Sequence, residues 1–430
     1  MSSHSRATHY LLQSIKTGQQ FSDKGWTLEA PGEEEPSLIS AVYEEVQINF
    51  RDPVAGVLRF ADWLPINWYP EGSSAPVTYK SEGLASHLGL NNLYITFSGY
   101  WPEKGANMKT CSFKETEAYS VCGRMSSDFK DVLVVASAGN TARAFARVCS
   151  DNGIPLLLCV PEDNLNAMWF DQPVKDNVKL ICSRSGGDYF DAIHLSNIAC
   201  SLPGFIAEGG AKNIARRDGM GTTVLSATEF IGQIPDYYFQ AVGSGTGAIA
   251  AWEANQRLIV DGRFGRHAMK LLVSQNRPFI PIYNAWKADS RQLLPFDDDE
   301  ARKQVEEIDA KVLSNRKPPY SIAGGLYDAL KATDGDVLIA SNEESAAAAE
   351  LFESVEGIDI HPAAAVATAT LINEVNSGNV PLDANVMLNI TGGGEKLIKS
   401  EKEMFAIEPS FVFDIDPDKS EVKKVLEKLF

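Results

Sequence analysis

In Ser112-Phe113-Lys114-Glu115 a lysine follows a phenylalanine at what reads as the start of a helix. If desolvated there, it would be held near its neutral form and be nucleophilic toward an aldehyde. Alone the segment is ordinary, since a surface lysine beside a phenylalanine reads the same way. Three further segments place donors at tight turns. In Val134-Val135-Ala136-Ser137-Ala138-Gly139-Asn140-Thr141 an apolar run turns into a helix start. Backbone N–H groups over Ser137, Ala138 and Thr141 would bind a carboxylate, and the Asn140 amide can donate to an oxygen. The simpler role there is a helix cap. In Gln240-Ala241-Val242-Gly243-Ser244-Gly245-Thr246-Gly247-Ala248 three glycines alternate with two hydroxyls. Such a turn lets successive N–H groups converge on a phosphate. Its spacing is not that of the dinucleotide motif, and it lacks the lysine of a nucleotide P-loop. Finally, Asn389-Ile390-Thr391-Gly392-Gly393-Gly394 ends another apolar run. Thr391 could set a neutral hydroxyl against a ring nitrogen, or the segment could be an ordinary entry into a helix.

The elements around these turns alternate. Short apolar runs are followed by helical stretches: Leu93–Phe97 and a helix from Glu115, Val132–Ala136 and a helix from Thr141, then Pro155–Val160 and Val178–Cys182. Tyr237–Val242 precedes a helix from Ala248, and Met269–Val273 follows. Val337–Ala340 precedes a helix from Glu343, and Val386–Ile390 one from Glu395. This alternation implies βαβ units and largely parallel sheets. The nearly unbroken apolar runs fit strands covered on both faces. In such sheets the functional loops lie at the carboxyl ends of strands, where these turns fall. At 430 residues two α/β domains are expected. Residues 1–120 would hold a lead-in arm and the first part of a large domain, 121–234 a smaller mobile domain, and 235–430 the rest of the large one. Residues 276–320 break the rhythm with prolines and an acidic run, and read as a surface insertion over the motifs.

Composition narrows the function. A formal charge of −18 leaves no basic excess to neutralise nucleic-acid phosphates. The polar first 20 residues show no secretory signal, and no apolar run is long enough to span a membrane, so a cytoplasmic protein is expected. Six cysteines have neither CxxC nor metal spacing, and read as reduced, mostly buried thiols with no metal bound. Cys111, three residues before Lys114, is the one thiol near the chemistry.

Taken together and in order, the lysine, the asparagine turn, the glycine cradle and the hydroxyl-glycine turn resemble the fold-type-II pyridoxal-phosphate enzymes, the tryptophan-synthase-β-like class. The resemblance covers residues 60–400. It implies two three-layer αβα domains with mostly parallel sheets and pyridoxal 5′-phosphate as cofactor. It further implies Lys114 as the Schiff-base lysine and Asn140 at the ring oxygen. Gly243, Ser244, Gly245, Thr246 and Gly247 would hold the cofactor phosphate, and Thr391 would meet the ring nitrogen.

Threonine synthases usually carry Ser-Phe-Lys-Asp-Arg; here Glu115-Thr116 replaces Asp-Arg after a longer approach, Gly99-Tyr100-Trp101-Pro102-Glu103-Lys104-Gly105-Ala106. That stretch is similar to the cysteate synthases of methanogenic archaea, which replace the phosphate of O-phospho-L-serine by sulfite on the path to coenzyme M. The resemblance implies a homo-oligomer acting on those two small molecules, with no nucleic-acid or membrane partner. The substrate carboxylate would dock at Ser137, Ala138 and Thr141. Two anionic substrates call for cationic neighbours, and Lys104, Lys109, Arg143 and Arg147 are candidates, although Arg143 and Arg147 could equally lie on a solvated helix face. The alternatives are a threonine synthase acting on O-phosphohomoserine, a β-eliminating lyase, and a silent relative that keeps only the fold.

Overall fold

The computed structural model describes residues 7–126, 128–137, 139–187 and 189–430. Two sheets organise it. The larger has six strands in the order Asp336–Ala340, Lys270–Asn276, Tyr237–Ala241, Asn385–Ile390, Asn92–Phe97, Val77–Lys80. Every neighbouring pair is parallel except the last, where Val77–Lys80 runs antiparallel at the edge. The smaller sheet has five parallel strands in the order Phe205–Ala207, Val132–Ala136, Leu156–Pro161, Val178–Ser183, Phe411–Phe413.

The apolar runs become strands because both faces are covered: Val132–Val135 and all of Leu156–Pro161 are buried. In the larger sheet Leu93, Ile95, Phe239, Leu272 and Leu388 pack with the helix Pro362–Asn376. That helix presents Ala363, Ala364, Ala365, Ala367 and Ala369 to the core, small side chains that let it approach the sheet closely. Its start is fixed by Pro362 and by His361, whose Nδ1 accepts from the Ala363 N–H at 3.2 Å.

The aromatic-rich lead-in is an arm with structure of its own. Gln20–Phe21, Tyr10–Ser14 and Ile39–Tyr43 form a small antiparallel sheet packed on the large body through Tyr43, Phe60 and Trp63. The segment 276–320 holds two helices, Pro281–Lys287 and Asp298–Glu307, and a 3-10 turn, Lys311–Leu313. Among the described residues no helix is long and apolar enough to cross a membrane.

Candidate active site

The four sequence motifs meet around one cavity of about 460 Å³. Lys114, Ser137, Asn140, Thr141, all five residues Gly243–Gly247 and Thr391 line it. Ala138 lies outside the described residues.

Lys114 opens the helix Lys114–Arg124 and is held by backbone bonds to the fourth motif. The Phe113 N–H donates to the Thr391 carbonyl at 3.0 Å, and the Gly393 N–H donates to the Cys111 carbonyl at 3.2 Å. Glycine is required along that fourth turn. A Cβ on Gly392 would stand 2.7 Å from the Cys111 carbonyl oxygen, and one on Gly394, at φ +77°, 1.9 Å from that of Tyr100. Cys111 itself takes a left-handed φ of 52°, a strained setting for a side-chain-bearing residue. Burial pushes its thiol well up, so Cys111 serves the site through its backbone and not as a nucleophile. All six cysteines are free, five of them buried.

The Lys114 side chain is 19% exposed, and its amine sits 3.3 Å from Glu117 Oε2 and over the Phe113 ring at 4.8 Å. Burial lowers its pKa, with Glu117 opposing and Arg216 adding to the shift. This is the desolvation that a nucleophilic lysine requires.

The strand Tyr237–Ala241 runs into the glycine cradle, and the helix Thr246–Asp261 starts inside it. Ser244 and Thr246 share a hydrogen bond of 2.9 Å between their hydroxyls. The N–H groups of Gly243, Ser244, Gly245 and Gly247 have no acceptor among the described residues. A Cβ would fill the cradle: on Gly243 it meets Leu313 Cα at 2.9 Å, on Gly245 Leu326 Cδ2 at 2.7 Å, and on Gly247 the Gln240 amide at 2.5 Å. Unclaimed donors at a helix start beside a partly desolvated lysine fit the phosphate and aldehyde of pyridoxal 5′-phosphate.

At the asparagine turn the Ser137 N–H is spent on the Cys159 carbonyl, and the Gly139 N–H on Ser137 Oγ. The N–H groups of Asn140 and Thr141, in the first turn of Asn140–Asn152, remain without an acceptor among the described residues. Arg143 donates to Asn140 Oδ1 at 3.1 Å, so the amide keeps its NH₂ for another partner. Arg143 is not on a solvated face. It is 2% exposed and stacks on Trp169 at 4.0 Å. Arg147 is buried beside Asp151. Lys104 lies over Tyr79 and Trp101, and Lys109 faces Asp151 at 3.5 Å. None of these four lines the cavity.

The cations that do line it, besides Lys114, are Lys212, Arg216, Lys311 and Lys317. Among the described residues no aspartate or glutamate side chain lines it. Lys311 and Lys317 belong to the 276–320 segment, which therefore forms part of the cavity wall. Lys317 rests on the Phe190 ring at 4.9 Å and has no carboxylate partner among the described residues. The Asn213–Arg216 helix start carries no motif grammar, and only its clustered basic residues hint at a role.

His361 also lines the cavity. Burial drives its pKa down to about 4, with Arg143 adding to the shift and Glu395 opposing it. With Nδ1 accepting from Ala363, the neutral ring carries its proton on Nε2. In the unfolded chain His361 takes a proton below pH 6.5, whereas in the folded protein it resists until about 4. Stability is therefore lost as pH falls through that window, by roughly 3 kcal/mol for this group. A His361→Asn variant should lose less stability than the parent between those two pH values in denaturant titrations. Equal losses would assign the acid sensitivity to other groups.

The family profile described as "Pyridoxal-phosphate dependent enzyme" matches residues 80–392. Cysteate synthase of Methanosarcina acetivorans is 47% identical over 410 residues, 95% of this chain and 97% of that protein. Cysteate synthase of Methanocella arvoryzae is 48% identical over 377 residues, 87% of this chain and 89% of that protein. In fold, the chain is similar to serine racemase of Dictyostelium discoideum, with a TM-score of 0.53 and 16% identity over 74% of this chain and 92% of that one. Threonine deaminase isoform 2 of Solanum lycopersicum gives a TM-score of 0.53 and 17% identity over 76% of this chain and 86% of that one. Both likenesses are to the fold-type-II architecture.

Proposed function

The chain belongs to the cysteate synthases among the pyridoxal-phosphate dependent enzymes, and from that premise we propose that it replaces the phosphate of O-phospho-L-serine by sulfite, giving L-cysteate and inorganic phosphate for coenzyme M synthesis. The observation that carries the choice of substrates is the charge of the cavity. In a chain of formal charge −18 this cavity is lined by Lys114, Lys212, Arg216, Lys311 and Lys317 and, among the described residues, by no carboxylate. Lys114, Arg216 and Lys212 pair with Glu117, Glu208 and Glu29 outside the lining, while Lys311 and Lys317 have no carboxylate partner among the described residues. A phosphate ester and sulfite are both strongly anionic, and a cationic wall concentrates and binds them.

Lys114 would hold the cofactor, and the Gly243–Gly247 donors its phosphate. Asn140, its Oδ1 engaged by Arg143, would donate to the ring oxygen. Thr391 has no side-chain hydrogen bond among the described residues and would offer a neutral hydroxyl to the ring nitrogen. When bound, the cofactor supplies an electron sink for substrate α-carbon chemistry. The substrate carboxylate would take the open N–H groups of Asn140 and Thr141, with the Ser137 hydroxyl beside them. Once the substrate amine had taken its place on the cofactor, the freed Lys114 Nζ would take the α-proton, the β-carbon would lose phosphate with the C–O electron pair, and sulfite would form the new C–S bond. Lys114 would then return the proton to the α-carbon. The same reading takes the enzyme as a cytoplasmic homo-oligomer, with the exposed Phe230 and Val260 as apolar surface for that contact.

The test is phosphate release from O-phosphoserine and from O-phosphohomoserine, each with and without sulfite, with the amino-acid product identified. Cysteate from O-phosphoserine plus sulfite is the expected result. Threonine from O-phosphohomoserine would overturn the substrate assignment.

A further inference from the structure

Beside Lys114 lies a charge cluster whose two carboxylates, Glu117 and Glu208, the reaction as described does not use. Glu117, one turn along the same helix, is fully buried. One of its carboxylate oxygens is 3.3 Å from Lys114 Nζ, and the other accepts from Arg216 at 3.0 Å. Arg216 also reaches Glu208 at 2.5 Å and Thr141 Oγ1 at 3.4 Å. Glu208 accepts from the Gly210 N–H at 3.0 Å. The groups facing Lys114 are thus Glu117 on its own helix, Arg216 on the helix Ile214–Ile231, and Glu208 after the strand Phe205–Ala207. Tyr189, at the start of the helix Tyr189–Cys200, lies in the field of Arg216 and the two carboxylates.

The charges decide what this cluster favours. Arg216 bridges the two buried carboxyl groups, and the Glu117 carboxylate at 3.3 Å gives a Lys114 ammonium an opposite charge that offsets part of the cost of its burial. A buried uncompensated charge is costly. Against the burial that lowers the Lys114 pKa, Glu117 is therefore the group that stabilises the protonated amine at the moment Lys114 has taken a proton from carbon.

We propose that Glu117 is a positioning residue for Lys114, anchoring its amine at the cavity wall and stabilising the ammonium formed when Lys114 accepts the substrate α-proton. This rests on the reading of Lys114 as the proton-transferring group. The transfer balances simply. The α C–H bond breaks, its proton forms an N–H bond on Lys114, the electron pair stays with the substrate, and the ammonium, whose hydrogens exchange with solvent, later returns a proton to the α-carbon. Glu117 takes a hydrogen bond throughout and gains no proton.

The test compares wild type, Glu117→Gln and Glu117→Asp holoenzymes by exchange of the substrate α-hydrogen with solvent deuterium, using O-phosphoserine without sulfite. Glu117→Gln keeps a hydrogen-bond acceptor for Arg216 and is expected to retain the visible absorbance of the bound cofactor and the KM for O-phosphoserine. Its exchange rate should fall roughly tenfold to a hundredfold. The rising limb of exchange against pH should move down by about one unit, because the carboxylate that raises the Lys114 pKa is gone. Glu117→Asp keeps the charge, so its limb should stay near the wild-type position even if the rate drops. Unchanged rate and pH limb in Glu117→Gln would overturn the proposal. So would equal losses in both variants with no movement of the limb, the mark of a packing role. Exchange by wild type without cysteate on adding sulfite would overturn the sulfite reading and leave the Glu117 comparison intact.

Discussion

Replacing Lys114 by alanine is expected to abolish both the visible absorbance of the bound cofactor and turnover, leaving a folded protein. The fold should survive because Glu117 keeps its bond to Arg216 at 3.0 Å, and the helix Lys114–Arg124 stays bonded to the Thr391 turn through backbone alone. Burial also pushes the Glu208 carboxyl up, so it can take the proton that offsets the lost lysine charge. Loss of a proton-transferring group costs on the order of 10²- to 10⁴-fold in rate, and here the cofactor attachment goes with it. Absorbance and phosphate release measured on the purified variant check this directly. A variant with wild-type absorbance would remove Lys114 from the site.

The second large effect falls on the glycine cradle. Gly245 has φ +79°, and a Cβ there would stand 2.7 Å from Leu326 Cδ2. The conformation costs an alanine about 1–2 kcal/mol, and relieving the contact shifts the turn that aims the Gly243, Ser244 and Gly247 N–H groups. Loss of one charge-assisted hydrogen bond is worth about 1.5–3 kcal/mol, so Gly245→Ala should weaken cofactor binding roughly ten- to a hundredfold. Overall stability should fall only slightly, since the helix Thr246–Asp261 keeps its buried face of Ala248, Ile249, Ala251 and Leu258. Titration of the apoprotein with pyridoxal phosphate reads the affinity. Undiminished binding would mean that the cradle does not receive the phosphate.

Much of this site was legible from residue order because it is built at strand ends. The runs Val132–Ala136 and Tyr237–Val242 became strands within a residue of their expected limits, and the turns after them face the cavity. Local grammar carries that information: apolar runs for two-sided burial, glycines for turns, hydroxyls and amides beside them. What was not legible depends on pairing. The return of Phe411–Phe413 to the smaller sheet is set by Ile181–Ser183, far away in the chain, and the antiparallel edge Val77–Lys80 pairs with the neighbouring Asn92–Phe97 where the alternation of strands and helices leads one to expect a parallel partner. The cations followed the same rule. Arg143, beside a motif, turned inward to Trp169 and Asn140, whereas Arg216, Lys311 and Lys317 reached the cavity from segments without motif grammar. Cys111 drew notice for its thiol, yet the structure uses its carbonyl and its left-handed backbone.

The most direct test of the central claim is to treat the holoenzyme with borohydride, which fixes the cofactor to whichever lysine carries it, and to locate the pyridoxyl group by peptide mass spectrometry. A single modified peptide containing Lys114 is expected. A pyridoxyl group on any other lysine, Lys212, Lys311 and Lys317 included, or none at all, would contradict it.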